Sequence, residues 1–144
     1  MKSEPPKETN EQIYLENILN DNPPKNLFIN RKDILIEEKL PTEKQLKPLR
    51  VGIVNKGGQG ERIYSSLGNA VTLSAYGGGI GGRTGLYYIN GRVHRLSIEE
   101  CKRLMGFRSD HFVSKEVKGY QQLGNAVIPK MISNVYNSIR KVMS

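Results

Sequence analysis

The sequence predicts an α+β fold, with a small, irregular, mostly-β domain followed by helices toward the C-terminal end. Short runs of strand-forming residues alternate with turn residues through the first two-thirds of the 144-residue chain, as is typical of small β-domains. The dipeptide Asn90-Gly91 separates two such runs and is a strong signal for a hairpin. Ser97 and Glu100 form an S-x-x-E capping box, which indicates that a helix begins there.

The N-terminal third is predicted to hold one short helix and several short strands. Thr9 is a suitable cap for a helix over residues 10–19, and the Asp-Asn-Pro-Pro segment that follows would end it. Residues 37–48 are polar and are expected to form a loop. The strand-like runs in this region are residues 27–29, 34–36 and 49–54.

The middle of the chain is rich in glycine. Residues 56–62 contain three glycines and are too flexible for a helix or a regular strand. A strand is expected over residues 70–76, directly before a second glycine cluster at residues 77–82. Residues 86–89 and 92–95 would form the two strands of the hairpin.

Two helices are predicted near the C-terminal end. The first begins after Ser97 and ends at Gly106, because a glycine at this position suits the left-handed residue that terminates many helices. The second is expected to begin near Asn125, with Pro129 tolerated in its first turn. Its apolar stripe must pack on something, and it consists of Ile128, Met131, Ile132, Val135, Ile139 and Val142.

The net charge of +8 is unevenly distributed. Residues 50–144 carry 14 basic and five acidic side chains, whereas residues 1–49 carry eight basic and nine acidic ones. An excess of this kind favours a polyanionic partner such as a nucleic acid. A solvated basic surface without a partner is the alternative that charge alone leaves open.

Several classes of protein are disfavoured. No run of 18 apolar residues is present, so no membrane span is expected, and the polar N-terminus does not resemble a signal peptide, so the expected location is cytoplasmic. The single cysteine, Cys101, excludes an internal disulfide and a cysteine-based zinc cluster. His94 and His111 are isolated and are expected to have structural or solvent-facing roles.

The glycines allow three interpretations. Gly77, Gly79 and Gly82 match the dinucleotide-binding pattern G-x-G-x-x-G, but that pattern requires a helix directly afterwards, and a hairpin is predicted here. The glycines are otherwise wide turns of a β-domain, or they let the backbone approach a DNA groove. The charge favours the groove, as do the polar and aromatic residues interleaved with the glycines: Lys56, Gln59, Arg62, Tyr64, Ser74, Tyr76 and Arg83.

Several segments resemble conserved parts of bacterial DNA (cytosine-5) methyltransferases. Residues 56–64 and 72–80 are similar to the two recognition loops of a family member that modifies the inner cytosine of GCGC. Residues 95–107 and 122–127 are similar to the ninth and tenth conserved motifs of the family. The resemblance extends over roughly residues 13–143 and includes the strands at residues 30–34 and 49–54.

The resemblance implies roles for individual residues. Gln59 matches the side chain that fills the space left when the target cytosine flips out, Arg62 a guanine-reading arginine, and Thr72 a residue that holds the flipped nucleotide's phosphate. Asn125 and Ala126 match positions that help close the pocket for S-adenosylmethionine. The remaining expected DNA contacts are Tyr64, Ser74, Tyr76, Gly77, Gly78 and Gly79.

The same resemblance divides the chain into three parts. Residues 1–24 would be a tail with a short helix, residues 25–107 the target-recognition domain, and residues 108–144 a linker and a C-terminal helix. That helix would dock on a separate catalytic α/β domain of Rossmann-like fold. Three positions depart from the usual family residues, namely His94, Arg108 and Ala126.

The catalytic motifs of the family do not occur in these 144 residues. There is no Pro-Cys dipeptide and no Phe-x-Gly-x-Gly segment, Cys101 fits a small core residue, and Glu16-Asn17 resembles the family's E-N-V segment only superficially. The chain is therefore expected to be inactive alone. It would bind double-stranded DNA beside a catalytic chain that carries the missing motifs, as the small subunit of a split methyltransferase. The alternatives are the relic of a truncated gene and a non-enzymatic DNA-binding module.

Overall fold

The structure is a computed structural model that describes residues 14–74, 77–108, 110, 112–113 and 117–125. The chain forms six short strands and two α-helices in these residues, in addition to single 3-10 turns at Leu15–Asn17 and Lys25–Leu27. The elements are β1 (Phe28–Ile29), β2 (Leu35–Ile36), β3 (Arg50–Ile53), β4 (Arg62–Ser65), β5 (Leu86–Ile89), β6 (Arg92–His94), α1 (Ile98–Leu104) and α2 (Val117–Asn125).

All six strands belong to one mixed sheet, in the order β1-β6-β5-β4-β3-β2. Every neighbouring pair is antiparallel except β4 and β5, which run parallel with Ile63 opposite Leu86. Parallel neighbours need a long connection, because the chain must return to the end of the sheet from which it started. The connection here is residues 66–85, and it carries the second glycine cluster.

The β5–β6 hairpin is confirmed. Asn90 and Gly91 both have positive φ angles, 52° and 78°, as a two-residue turn that matches the twist of the strands requires. Ile89 and Arg92 pair directly on either side of the turn. The Asn-Gly dipeptide therefore determines this hairpin locally.

The capping box of α1 is also confirmed. Ser97 Oγ accepts a hydrogen bond from the Glu100 amide at 3.1 Å, and the Glu100 carboxylate accepts one from the Ser97 amide at 2.9 Å. Glu100 is fully buried and also accepts from the Asn20 amide at 3.1 Å, which ties the N-terminal segment to α1. Gly106 follows the helix with φ 75°, as the sequence predicts.

The sheet buries apolar side chains on both faces. Leu86 and Tyr87 are adjacent in β5 and fully buried, and their side chains enter different clusters because side chains alternate across a strand. One cluster comprises Val51, Val54, Ile63, Leu86 and Val93. The other packs the N-terminal segment and both helices against the sheet, through Leu15, Ile18, Tyr87, Leu96, Cys101 and Leu123.

The strand predicted over residues 70–76 is wrong where the structure describes it, because residues 70–74 are irregular. Their amides bind groups other than a neighbouring strand: the Val71 amide donates to Tyr87 Oη at 3.1 Å and the Ser74 amide to the Arg83 carbonyl at 3.0 Å. Ala75 and Tyr76 lie outside the described residues. The sequence analysis also missed β4, which lies between β3 and β5.

Two predicted helices, one over residues 10–19 and one from near Asn125, lie partly outside the described residues. Of the helix predicted over residues 10–19, the structure describes residues 14–19, and the prediction is wrong there because they hold only the 3-10 turn at Leu15–Asn17. The sequence analysis missed α2, which begins at Val117, and the last helix that it predicted from near Asn125 lies outside the described residues beyond Asn125 itself. Tertiary contacts explain α2, because Leu123 is buried and Tyr120 Oη donates to the Leu96 carbonyl at 2.9 Å. The apolar stripe beyond Asn125 lies outside the described residues.

Candidate nucleic-acid interface

Two glycine-rich loops meet at one end of the sheet. The first glycine loop, residues 55–61, connects β3 to β4, and the second glycine loop, residues 72–85, leads into β5. The Gly81 amide donates to the Gly60 carbonyl at 2.8 Å. A Cβ atom at Gly60 would lie 2.4 Å from the Gly78 carbonyl oxygen, so this contact between the loops requires glycine. The loops therefore pack backbone against backbone.

A cleft of about 440 Å³ opens between the two loops. Its walls include the residues that the sequence analysis assigned to DNA, although they come from β4 and from both loops. Gln59, Arg62 and Thr72 are exposed, whereas Tyr64 and Ser74 are half-buried. Five of the predicted DNA-contacting side chains thus line a single cleft: Gln59, Arg62, Tyr64, Thr72 and Ser74.

The three consecutive glycines of the second glycine loop are not equivalent. A Cβ atom at Gly77 would lie 1.6 Å from the Gly82 carbonyl oxygen, and Gly79 has φ 81°. Gly78 is exposed, and a Cβ atom there would meet nothing within 4 Å. The fold therefore explains two of these glycines, and Gly78 alone leaves space that a ligand can use.

Gly77 and Gly79 line a second cleft, of about 310 Å³. Arg83, Arg95 and Tyr120 also line it. The predicted DNA contacts are thus divided between two clefts.

The remaining predicted site residues lie outside both clefts or outside the described ranges. Asn125 is exposed at the last position of α2. Tyr76 and Ala126 are not among the described residues. The structure therefore brings five of the nine predicted DNA contacts to one cleft, and it describes only Asn125 of the pair assigned to the cofactor.

Glu61 is a site residue that the sequence analysis missed. Its carboxylate accepts hydrogen bonds from Asn55 Nδ2 at 2.6 Å and from the Gly58 amide at 2.8 Å. These two bonds, with a smaller contribution from the positive charge of Arg31, lower the pKa of the Glu61 carboxyl. The three-residue spacing between Gly58 and Glu61 is a local signal, but the contact to Asn55 depends on the loop's course.

Tyr87 is a second missed residue, and it anchors the other loop. Its hydroxyl donates to the Thr84 carbonyl at 2.9 Å and accepts from the Val71 amide at 3.1 Å, so it joins the two sides of the long connection. Burial raises the pKa of this phenol. The ring lies 6.4 Å from that of Tyr64, which lines the cleft. Tyr87 therefore supports the cleft from the core.

The only cysteine of the chain is not available for chemistry. Cys101 is fully buried in α1, and burial raises the pKa of its thiol to about 12, so the thiolate needed for nucleophilic attack does not form near neutral pH. His94 is likewise buried, donating from Nδ1 to the Arg95 carbonyl at 2.9 Å. Both predictions of structural roles are confirmed.

Other kinds of site receive no support from the described part of the chain. Gly82 is followed by a turn and by β5, so the helix that a dinucleotide-binding loop requires is not there. Within the described ranges, no three His, Cys, Asp or Glu side chains come together as a metal site would need. No helix in these ranges is long and apolar enough to cross a membrane.

Residues 3–141 match the family of C-5 cytosine-specific DNA methylases, and the chain belongs to that family. It is 43% identical over 122 residues to the type II methyltransferase M.HhaI of Haemophilus parahaemolyticus. That alignment covers 83% of this chain and 37% of the relative, so the chain spans a little over a third of the relative's length.

The fold is shared with a solved structure of much lower sequence identity. The crystal structure of the S. pombe Dnmt2 methyltransferase superposes with a TM-score of 0.63 at 14% identity, covering 96% of this chain and 45% of the other. This structure supports the fold, and the family match and the 43% identical relative confirm the resemblance seen in the sequence at the level of the family.

Proposed function

We propose that this chain is the DNA-recognition part of a cytosine-5 DNA methyltransferase and that it binds double-stranded DNA in the cleft between the two glycine loops. The observation that carries the proposal is the convergence of Gln59, Arg62 and Thr72 on that cleft from different parts of the chain. These three side chains offer an amide, a guanidinium and a hydroxyl, which suit base edges and phosphates. Membership in the family makes DNA the natural substrate class.

Arg62 is the side chain proposed to read a guanine. Its Nε donates to the Gly57 carbonyl at 3.4 Å, which holds the guanidinium beside the first glycine loop. Arg62 is exposed, and a guanine can accept two hydrogen bonds from its terminal nitrogens at O6 and N7. Gln59 would occupy the space left by a flipped cytosine, and Thr72 would hold that nucleotide's phosphate.

The proposed target is GCGC, with the inner cytosine modified by a catalytic domain or chain that carries the Pro-Cys and Phe-x-Gly-x-Gly motifs. The similarity of residues 56–64 and 72–80 to the loops of a GCGC-modifying enzyme supports this target. S-adenosylmethionine would supply the methyl group. This chain would contribute Asn125 and Ala126 to the cofactor pocket, and the exposure of Asn125 at the end of α2 fits a group offered to a neighbouring domain.

These assignments give different roles to two parts of the chain. Residues 25–107 would form the recognition domain, and residues 108–144 would complete the catalytic domain by docking the C-terminal helix on it. α2 lies within the second of these parts. Charge supports the DNA-binding role, because the basic excess lies within residues 50–144.

The test measures binding of the full chain to duplexes that contain GCGC or a scrambled sequence of equal composition, by fluorescence anisotropy at several salt concentrations. Arg62→Ala should weaken binding to GCGC by about 1–3 kcal/mol, the usual value of one good bidentate base contact. Arg92→Ala is the matched control. It removes the same charge at the hairpin, at the opposite end of β5 from the glycine loops.

The control separates base reading from general attraction to phosphate. Equal losses in the two variants, or a wild-type chain without preference for GCGC, would refute the proposal. The methylated position is checked separately by bisulfite sequencing of DNA from cells that carry this chain with a catalytic partner. Methylation at another tetranucleotide would contradict the proposed target.

A further inference from the structure

An acidic side chain, that of Glu61, lies at the end of the first glycine loop, beside residues proposed to contact DNA. Glu61 lies directly before Arg62 and two residues after Gln59, the two side chains proposed to contact the bases. A free carboxylate at this position would repel the phosphates of a duplex. Its presence therefore calls for a role that outweighs the repulsion.

The carboxylate is engaged on both oxygens by the loop itself. Oε1 accepts from Asn55 Nδ2 at 2.6 Å, and Oε2 accepts from the Gly58 amide at 2.8 Å. The backbone of Glu61 closes the same loop, because its amide donates to the Gly58 carbonyl at 3.0 Å and its carbonyl accepts from the Val54 amide at 2.8 Å. Glu61 thus joins the start of the loop to its end through side chain and backbone together.

The loop needs such support because its backbone conformation is unfavourable. Asn55, Gly57 and Gly60 have φ angles of 52°, 73° and 77°. Asn55 carries a side chain in the left-handed region, which most residues avoid, although asparagine tolerates it better than most. The bond from Asn55 Nδ2 to Glu61 holds this residue in that region.

The two hydrogen bonds that the Glu61 carboxylate accepts, from Asn55 and from Gly58, form a clamp on the loop. This clamp is connected through the backbone to Gln59 and Arg62, the residues proposed to contact the bases. The Gly57 carbonyl accepts the hydrogen bond from Arg62 Nε, and Glu61 fixes the amide of the peptide unit that joins Gly57 to Gly58. Gln59 lies between Gly58, which Glu61 binds, and Gly60, which packs against the second glycine loop. Glu61 thus fixes the two peptide groups that precede Gln59, and one of them also binds Arg62 Nε.

We infer that Glu61 and Asn55 are positioning residues that set the sequence preference of the first glycine loop without themselves contacting DNA. The inference rests on the proposed DNA-binding function and names the device that holds Gln59 and Arg62 in place. Arg31, which forms an ion pair with Asp33 at 2.6 Å, contributes a favourable charge near Glu61. Glu61 would repel DNA phosphates as a free carboxylate, and in the clamp its hydrogen bonds hold the loop backbone instead.

Two substitutions of Glu61 separate the clamp from the charge. Glu61→Ala removes both acceptors, and the preference of the full chain for a GCGC duplex over a scrambled duplex should fall about tenfold, as when one base contact is lost. Glu61→Gln removes the charge but can keep both bonds. Its Oε1 accepts from the Gly58 amide, and its Nε2 donates to Asn55 Oδ1 once the Asn55 amide has rotated by half a turn. Glu61→Gln should therefore restore the preference.

Asn55→Gly tests the other half of the clamp. Glycine accepts the left-handed φ angle, and the substitution removes only the side-chain donor. The preference should fall less than in Glu61→Ala, because the bond to the Gly58 amide remains. Hydrogen exchange of the Gly58 amide, measured by NMR on the DNA-free chain, should be faster in Glu61→Ala than in the wild type or in Glu61→Gln. The melting temperature of each variant checks that the fold is intact.

The outcomes distinguish the inference from the function on which it rests. A wild-type chain without preference for GCGC would refute the proposed function and the positioning role with it. A wild-type preference that survives in Glu61→Ala would refute the positioning role alone. A preference lost equally in Glu61→Ala and Glu61→Gln would also refute it, because charge or direct contact, and not the clamp, would then be the cause.

Discussion

The two glycine loops reach the same cleft by different physical means. The first glycine loop is held by contacts among residues 54–62, through the Glu61 carboxylate and three backbone residues with positive φ angles. The second is held by residues farther apart in the chain, through the Tyr87 hydroxyl that joins Val71 to Thr84 and through close backbone packing that only glycine permits. The comparison shows that glycine in the first loop mainly allows positive φ angles. In the second loop it mainly allows close backbone contacts that a side chain would block.

The largest expected effect comes from Gly77 in the second glycine loop. Gly77→Ala places a Cβ atom 1.6 Å from the Gly82 carbonyl oxygen, so the backbone on one side must move. Stability should fall by about 3 kcal/mol, the upper part of the range for overpacking. Thermal unfolding monitored by circular dichroism measures this loss. An unchanged melting temperature would show that the close backbone packing of this loop does not matter for the fold.

A smaller loss of stability is expected at Tyr87. Tyr87→Phe leaves the Val71 amide and the Thr84 carbonyl without their buried partner, at a cost of about 2 kcal/mol. Chemical denaturation gives this free energy directly. Tyr88→Phe is the control, because Tyr88 is the adjacent, half-buried tyrosine of the same strand. Equal effects at the two tyrosines would contradict the anchoring role of the Tyr87 hydroxyl.

Gly78 should respond in the opposite way to Gly77. Gly78→Val meets no protein atom within 4 Å of its Cβ, so the melting temperature should change little. DNA binding should weaken about tenfold, because the valine side chain enters the space through which a DNA edge would approach the backbone. Titration of a GCGC duplex measures the affinity. If binding and stability fell together, Gly78 would be structural like its neighbour.

The smallest effect concerns pH and the first glycine loop. The pKa of the Glu61 carboxyl is lowered in the folded chain from its ordinary value of 4.5. The ionised carboxylate therefore stabilises the loop fully at pH values above 4.5. That contribution is lost as the pH falls through the lowered pKa. The Gly58 amide resonance should therefore titrate below pH 4.5 in the wild type and remain flat in Glu61→Gln. A Gly58 titration above that value would contradict the direction of the shift.

The sequence predicted best where a structure depends on near neighbours. The Asn90-Gly91 turn and the Ser97–Glu100 capping box form from residues at most three positions apart, and both are confirmed. The family resemblance assigned Gln59, Arg62 and Thr72 to one function, and in the structure these three side chains line one cleft. Their DNA-binding roles remain predictions.

The failures occur where distant residues compete for the same backbone groups. The apolar run at residues 70–74 has the composition of a strand, but its amides bind Tyr87 and Arg83 instead. In β4 only Ile63 and Tyr64 favour a strand, and a glycine cluster precedes them, yet β4 pairs on both sides. In α2, contacts of Tyr120 and Leu123 with the core accompany a helix over a segment that contains two glycines.

The sequence by itself determined the family of this protein, its α+β composition, the basic excess of residues 50–144, and the turn and cap that near neighbours specify. Tertiary structure alone decided which glycines have room for a side chain, that the Glu61 carboxylate binds Asn55 and Gly58, and that two separate loops form one cleft. The physical reason is the range of the interactions. Backbone preferences and capping bonds act over a few residues and leave a local pattern. Whether Gly77 or Gly78 has room for a side chain depends on carbonyl groups that only folding brings near.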